Sequence, residues 1–85
     1  MKVQVLGSGC PTCKKLYEIT QQAVAGMDAD IELEYVTGVE GMGRIIELGG
    51  MSSPVVAVGN TIAMTGFNAD ITKIQTAIRN AAEEA

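Results

Sequence analysis

Cys10 and Cys13 are the only cysteines in the chain, and Pro11-Thr12 separates them. A thiolate is both a nucleophile and a soft metal ligand, so the pair points to dithiol–disulfide exchange or to metal binding. The segment follows a short apolar run and Gly7-Ser8-Gly9, and it precedes a helical pattern. At a strand-to-helix turn, residues three apart can meet the Cα separation of about 4.4–6.8 Å that a disulfide needs. Cys10 falls at or just before the first helical residue. There the free N–H groups and the positive end of the helix favour a thiolate, and Lys14 and Lys15 add charge nearby. These effects predict a lowered pKa for Cys10. Cys13 lies further along, on the apolar side, and is expected to be less exposed. This asymmetry suits exchange: Cys10 attacks a substrate disulfide, and Cys13 resolves the mixed disulfide.

Elements that position the pair follow from periodicity. Val3, Val5 and Leu6 mark a first strand, and Pro11 suits the first position of a helix. Cys13, Leu16, Tyr17, Thr20, Val24 and Met27 recur at steps of three and four, giving an amphipathic helix that ends near Gly26. Ile31, Leu33 and Tyr35 alternate with Glu32 and Glu34 as a half-buried strand, which Val36 continues. Met42, Ile45, Ile46 and Leu48 predict a shorter helix stopped by Gly49-Gly50, with the poor helix formers Gly41 and Gly43 near its start. Val55-Val56-Ala57-Val58 reads as a central buried strand, and Gly59-Asn60 turns it back into Thr61–Thr65. Asn68 is placed to cap a last helix with Asp70 in its first turn; Ile71, Ile74, Ile78 and Ala81 or Ala82 supply its apolar face. The order is β-α-β-α-β-β-α. Strands separated by helices predict parallel pairing, and the last two strands an antiparallel hairpin.

Composition bounds the rest. The 85 residues predict one domain, 1–85, with 47% hydrophobic residues and an aliphatic core, there being one Phe, two Tyr and no Trp. A net charge of −4 with six Lys and Arg argues against a nucleic-acid partner and against an anionic membrane surface. No apolar stretch approaches the roughly 20 residues of a spanning helix, and the N-terminal apolar run is too short for a signal peptide. The expectation is a cytoplasmic monomer, a compartment where a lone Cys pair is more often catalytic or metal-binding than structural.

Pro54 opens the central strand at a position where its missing N–H is tolerated. On its own it reads as a trans proline closing a loop, because only about 5–6% of X–Pro bonds are cis. Taken together, Cys10-Pro11-Thr12-Cys13 after the first strand, Ser53-Pro54 before the third and Gly66 after the fourth resemble the thioredoxin superfamily in its short glutaredoxin-like form. More narrowly, the chain is similar to the small thioredoxin-like redox-active disulfide proteins of bacteria and archaea. The resemblance spans nearly the whole chain and implies a thioredoxin fold of α/β class, a central mixed four-stranded sheet flanked by three helices. It implies that Cys10 is the nucleophile, that Cys13 resolves, and that Pro54 is cis and faces the disulfide. Ser53 would pair its backbone with an extended substrate segment, and Pro11, Thr12 and Gly66 would border the same site. Gly9 stands where thioredoxins carry Trp, and Gly7 where glutaredoxins usually carry a basic residue. Thr65-Gly66 replaces a Gly-Gly pair, and the acid that helps hold glutathione is displaced by one position to Asp70. These departures point to disulfide-containing protein substrates and a flavoprotein reductant of the thioredoxin reductase type. No metal or organic cofactor is implied.

Two other functions use the same residues. Gly-x-x-Cys-x-x-Cys after a strand also resembles heavy-metal-associated domains, and two thiolates suit Cu(I). That fold ends in a strand, whereas this pattern ends in a helix. Zinc wants four ligands, and the chain offers neither His nor a third Cys, so only a site shared between two copies would serve. A non-catalytic redox sensor is the third reading, with Ser8, Thr12, Met51, Ser52 and Ser53 as a docking surface. Met27 and Met42 read as core filler, Glu32 and Glu34 as a solvated strand face, and Tyr17 as packing against the sheet.

Overall fold

The computed structural model describes residues 2–9, 11–27, 30–51 and 54–84. Seven elements follow in the predicted order: β1 (Lys2–Leu6), α1 (Pro11–Ala25), β2 (Glu32–Val36), α2 (Gly38–Glu47), β3 (Val55–Val58), β4 (Thr61–Thr65) and α3 (Ile71–Glu84). The sheet runs β2-β1-β3-β4. Val3 and Val5 of β1 join Val56 and Val58 of β3 against Leu16 and Ala23 of α1 and Ile74, Ile78 and Ala81 of α3. Leu6, Val55 and Ala57 turn the opposite way and meet Ile45 of α2. The inner strands are thus buried on both sides, which explains why β3 is apolar throughout. Each such side chain contributes roughly 1.5–3 kcal/mol by leaving water.

Strand sense departs from the expectation in one place. β1 and β2 are parallel, with Leu6 opposite Val36. β3 is antiparallel to β1, with Leu6 opposite Val55 and Val3 opposite Val58. The reason lies in the return after α2. That helix runs from the Gly7 end of the sheet, where Gly41 sits, to the far end, where Arg44 donates to the Gly59 carbonyl and to Asn60 Oδ1. Pro54, just before β3, stands back beside the end of β1. The expected hairpin follows, Gly59 turning at φ 58°, with a register shift between Val56 and Ala57.

α2 also departs from its predicted face. Ile45 is buried and Leu48 packs against it, but Ile46 is 72% exposed and Met42 is exposed too. Gly41, Ile45 and Leu48 recur at the helical step and face the sheet; at about 3.6 residues per turn, Met42 and Ile46 are rotated off that line. The approach is close because of Gly41: a Cβ there would overlap the carbonyl oxygens of Gly7 and Val36. The glycines that argue against a helix by propensity are accommodated because one of them lets α2 sit on the strand ends. Gly49 and Gly50 end the helix as expected, their N–H groups donating to Ile46 and Ile45 at 3.0 and 2.8 Å, with Gly49 at φ 87°. At α3 the cap is Asp70 rather than Asn68. Asp70 Oδ1 accepts from the Lys73 N–H at 3.2 Å, while Asn68 Oδ1 accepts from the Asp70 N–H at 2.8 Å. Met27 packs on the larger core, and Tyr17 stacks on Tyr35, the ring centroids 4.7 Å apart and the planes within 11°.

Candidate active site

The C-terminal end of β1, the first turn of α1, the start of β3 and the end of β4 converge. Pro11 is the first residue of α1, its missing N–H harmless there, and it is exposed with Thr12. Cys13 follows on the inner side of the same turn and is fully buried. Its burial follows from helical spacing, since Leu16, Thr20 and Ala23 continue the buried stripe of α1. No acidic residue lies in this first turn, while Lys14 and Lys15 are exposed on it. Two cations where the helix dipole is already positive work against helix stability but concentrate positive potential at the Cys-x-x-Cys segment.

Gly7 organises the buried side. Its N–H donates to the Val36 carbonyl at 3.1 Å, fastening the end of β1 to β2. A Cβ built on Gly7 would lie 2.5 Å from Cys13 Sγ, 3.1 Å from Cys13 Cβ and 3.8 Å from Pro54 Cβ. Cys13 and Pro54 therefore both face the side of Gly7 on which it has no side chain. Pro54 is buried, and its carbonyl accepts from the Gly66 N–H at 2.8 Å. Gly66 makes this turn at φ 80°, in the left-handed region where glycine is unstrained. Pro54 and Gly66 are thus joined by backbone.

On the exposed side, Pro11, Thr12, Lys15 and Phe67 line a groove of about 260 Å³. Of the predicted site residues, Cys13, Pro54 and Gly66 gather around Gly7, and Pro11 and Thr12 lie along the adjoining groove. Cys10 and Ser53 lie outside the described residues, and with them the pairing of Cys10 with Cys13 and the isomer of the Ser53–Pro54 bond. Two residues of the site escape a reading of the sequence alone. Gly7 reads as turn punctuation, and its role emerges only when Cys13 is folded against it. Phe67 reads as loop, although the single Phe of the chain, directly after Gly66, is a usable signal. Asp70, considered as a displaced glutathione ligand, has its carboxylate engaged in capping α3. A larger hollow between β4 and α3, about 410 Å³ and lined by residues such as Ile62, Thr72 and Thr76, contains none of the predicted site residues. Among the described residues no helix is long and apolar enough to cross a membrane.

A mixed four-stranded sheet with two helices on one face and one on the other, and a buried Cys13 in the first helical turn next to Pro54 at the head of β3, defines the thioredoxin fold. The sequence matches the family model described as the thioredoxin domain over residues 1–82. It is also 32% identical over 66 residues to a protein named thioredoxin from Methanothermobacter thermautotrophicus, covering 78% of this chain and 82% of that protein. The chain belongs to the thioredoxin family, and its role is a redox role of that family's kind.

Proposed function

We propose that the chain is a thiol–disulfide oxidoreductase that reduces protein disulfides, Cys10 attacking and Cys13 resolving. The observation that carries this reading is the fully buried Cys13 thiol in the first turn of α1, with Pro54 across Gly7 from it. Burial fits a sulfur that acts only inside a mixed disulfide. Its partner in sequence, Cys10, directly precedes the first helical residue.

The chemistry balances without a cofactor. Cys10 thiolate attacks one sulfur of the substrate disulfide, and that bond breaks as the Cys10–substrate bond forms. The first substrate thiolate leaves and takes up a proton. Cys13, deprotonated, attacks Cys10 Sγ, releasing the second substrate thiolate and leaving a Cys10–Cys13 disulfide. Two electrons pass to the substrate. An external dithiol donor, for which we propose a flavoprotein of the thioredoxin reductase type, returns the protein to its reduced form. Ser53 would align the substrate backbone beside Pro54, and the groove of Pro11, Thr12 and Phe67 would take the flanking residue. A reducing cytoplasmic compartment suits this direction of electron flow.

A redox titration of the pair in dithiothreitol and glutathione buffers, read by thiol alkylation and intact mass, tests the reading. One two-electron transition in the band of about −270 to −200 mV is expected. Cys10→Ser abolishes exchange, and Cys13→Ser accumulates mixed disulfides with protein substrates. A pair that never closes, or a Cys13→Ser variant that traps nothing while the wild type turns over, sinks the assignment. Copper or zinc titration would then follow.

A further inference from the structure

We infer that Gly7 is a positioning residue: its missing side chain leaves the seat in which Cys13 Sγ is held for the resolving step. The inference rests on the dithiol reading above and extends it to a residue outside the Cys-x-x-Cys motif. Gly7 is not among the glycines with positive φ, so backbone conformation does not call for glycine here. Space does. A Cβ would stand 2.5 Å from Cys13 Sγ, when real Cβ contacts essentially never fall under 3.0 Å. The far side of Gly7 offers no retreat. Its N–H is bonded to Val36, and its carbonyl oxygen lies against Gly41 of α2, whose own side-chain position it occupies. The strain of an added methyl therefore falls on Cys13, which must move its sulfur by at least about half an ångström.

That displacement acts on one step only. In the first step Cys10 attacks and Cys13 is a spectator. In the second, Cys13 Sγ must reach Cys10 Sγ along the axis of the bond to be broken, forming the internal disulfide as the substrate thiolate departs. Reactions of this kind lose up to about 100-fold when a reacting atom is misplaced by roughly 1 Å. Gly7→Ala should thus leave the first step intact and slow the second.

The test mixes fully reduced protein with one equivalent of dithiobisnitrobenzoate, an aromatic disulfide that releases one coloured thiolate on attack by Cys10 and a second on resolution by Cys13. For Gly7→Ala the first phase should stay within about twofold of wild type and the second should slow at least tenfold. Equal slowing of both phases, or of neither, overturns the inference. A double-mutant cycle guards against a variant that folds poorly. If Gly7 seats the sulfur, the unfolding equilibrium constant is raised by Gly7→Ala at least tenfold less in a Cys13→Ala background, where no sulfur remains to collide. An equal cost in both backgrounds overturns it. Should the wild type release no second equivalent, the dithiol reading itself fails, and the cycle alone still decides whether Gly7 makes the seat.

Discussion

Single residues divide into those whose chemistry is written in their type and those whose role depends on what folds against them. Cys13 and Pro54 belong to the first group: a thiol at the start of a helical pattern, and a proline at the head of an apolar strand, are legible without coordinates, while Cys10 lies outside the described residues. Gly7 and Phe67 belong to the second. A glycine in Gly-Ser-Gly looks the same whether it turns the chain or makes room for a sulfur, and only the 2.5 Å approach of Cys13 Sγ to its absent Cβ tells them apart. Phe67 is 45% exposed beside Pro11 and Thr12, more apolar surface than a loop tip needs. Phe67→Ala should raise KM for a disulfide-containing protein about fivefold, equivalent to ~1 kcal/mol of lost apolar contact. Its reaction with a small aromatic disulfide should stay unchanged. Equal effects on both substrates would show that Phe67 shapes the site rather than contacting the partner.

Elements were legible where one face alone is apolar. α1 buries Cys13, Leu16 and Thr20 as its spacing requires, adding Ala23, and α3 buries Ile74, Ile78 and Ala81. α2 misleads because two of its faces are apolar and only ten residues are available to choose between them. The choice is made by Gly41, whose lack of a side chain lets that face approach the sheet. Ile45→Ala should cost about 2–5 kcal/mol in denaturant unfolding, as for a buried aliphatic. Ile46→Ala should cost within about 0.5 kcal/mol, as for a surface site. If the two costs were equal, Ile46 would be covered in solution. At α3, Asp70→Ala should lower stability by about 1 kcal/mol through loss of the Lys73 N–H acceptor, whereas Asn68→Ala should cost less. The sequence offers two capping candidates two residues apart, and only the backbone path decides which one reaches the helix.

On the scale of the whole molecule, the order of elements was readable but the sense of β3 was not, because a helix between two strands favours parallel pairing without enforcing it. That sense decides the site. With β3 reversed, Pro54 and the Gly66 turn would lie at the opposite end of the sheet from Cys13. Closing Cys10 to Cys13 makes a four-residue loop, worth about 2 kcal/mol on the chain-entropy account. A chain of this size shifts Tm by roughly 4–8 °C per kcal/mol, so the oxidised form should melt about 8 °C or more above the reduced form. A reduced form that melts higher would mark the pair as an oxidant and reverse the proposed electron flow. The stack of Tyr17 on Tyr35 has a use of its own here. These are the only tyrosines, no tryptophan competes with them, and they bridge the helix that carries Cys13 to the strand whose end holds Gly7. Near-ultraviolet emission and circular dichroism of the native chain therefore come chiefly from one coupled pair of rings. Any shift of α1 on the sheet as the proposed Cys10–Cys13 disulfide opens or closes can be followed as an optical signal without attaching a label.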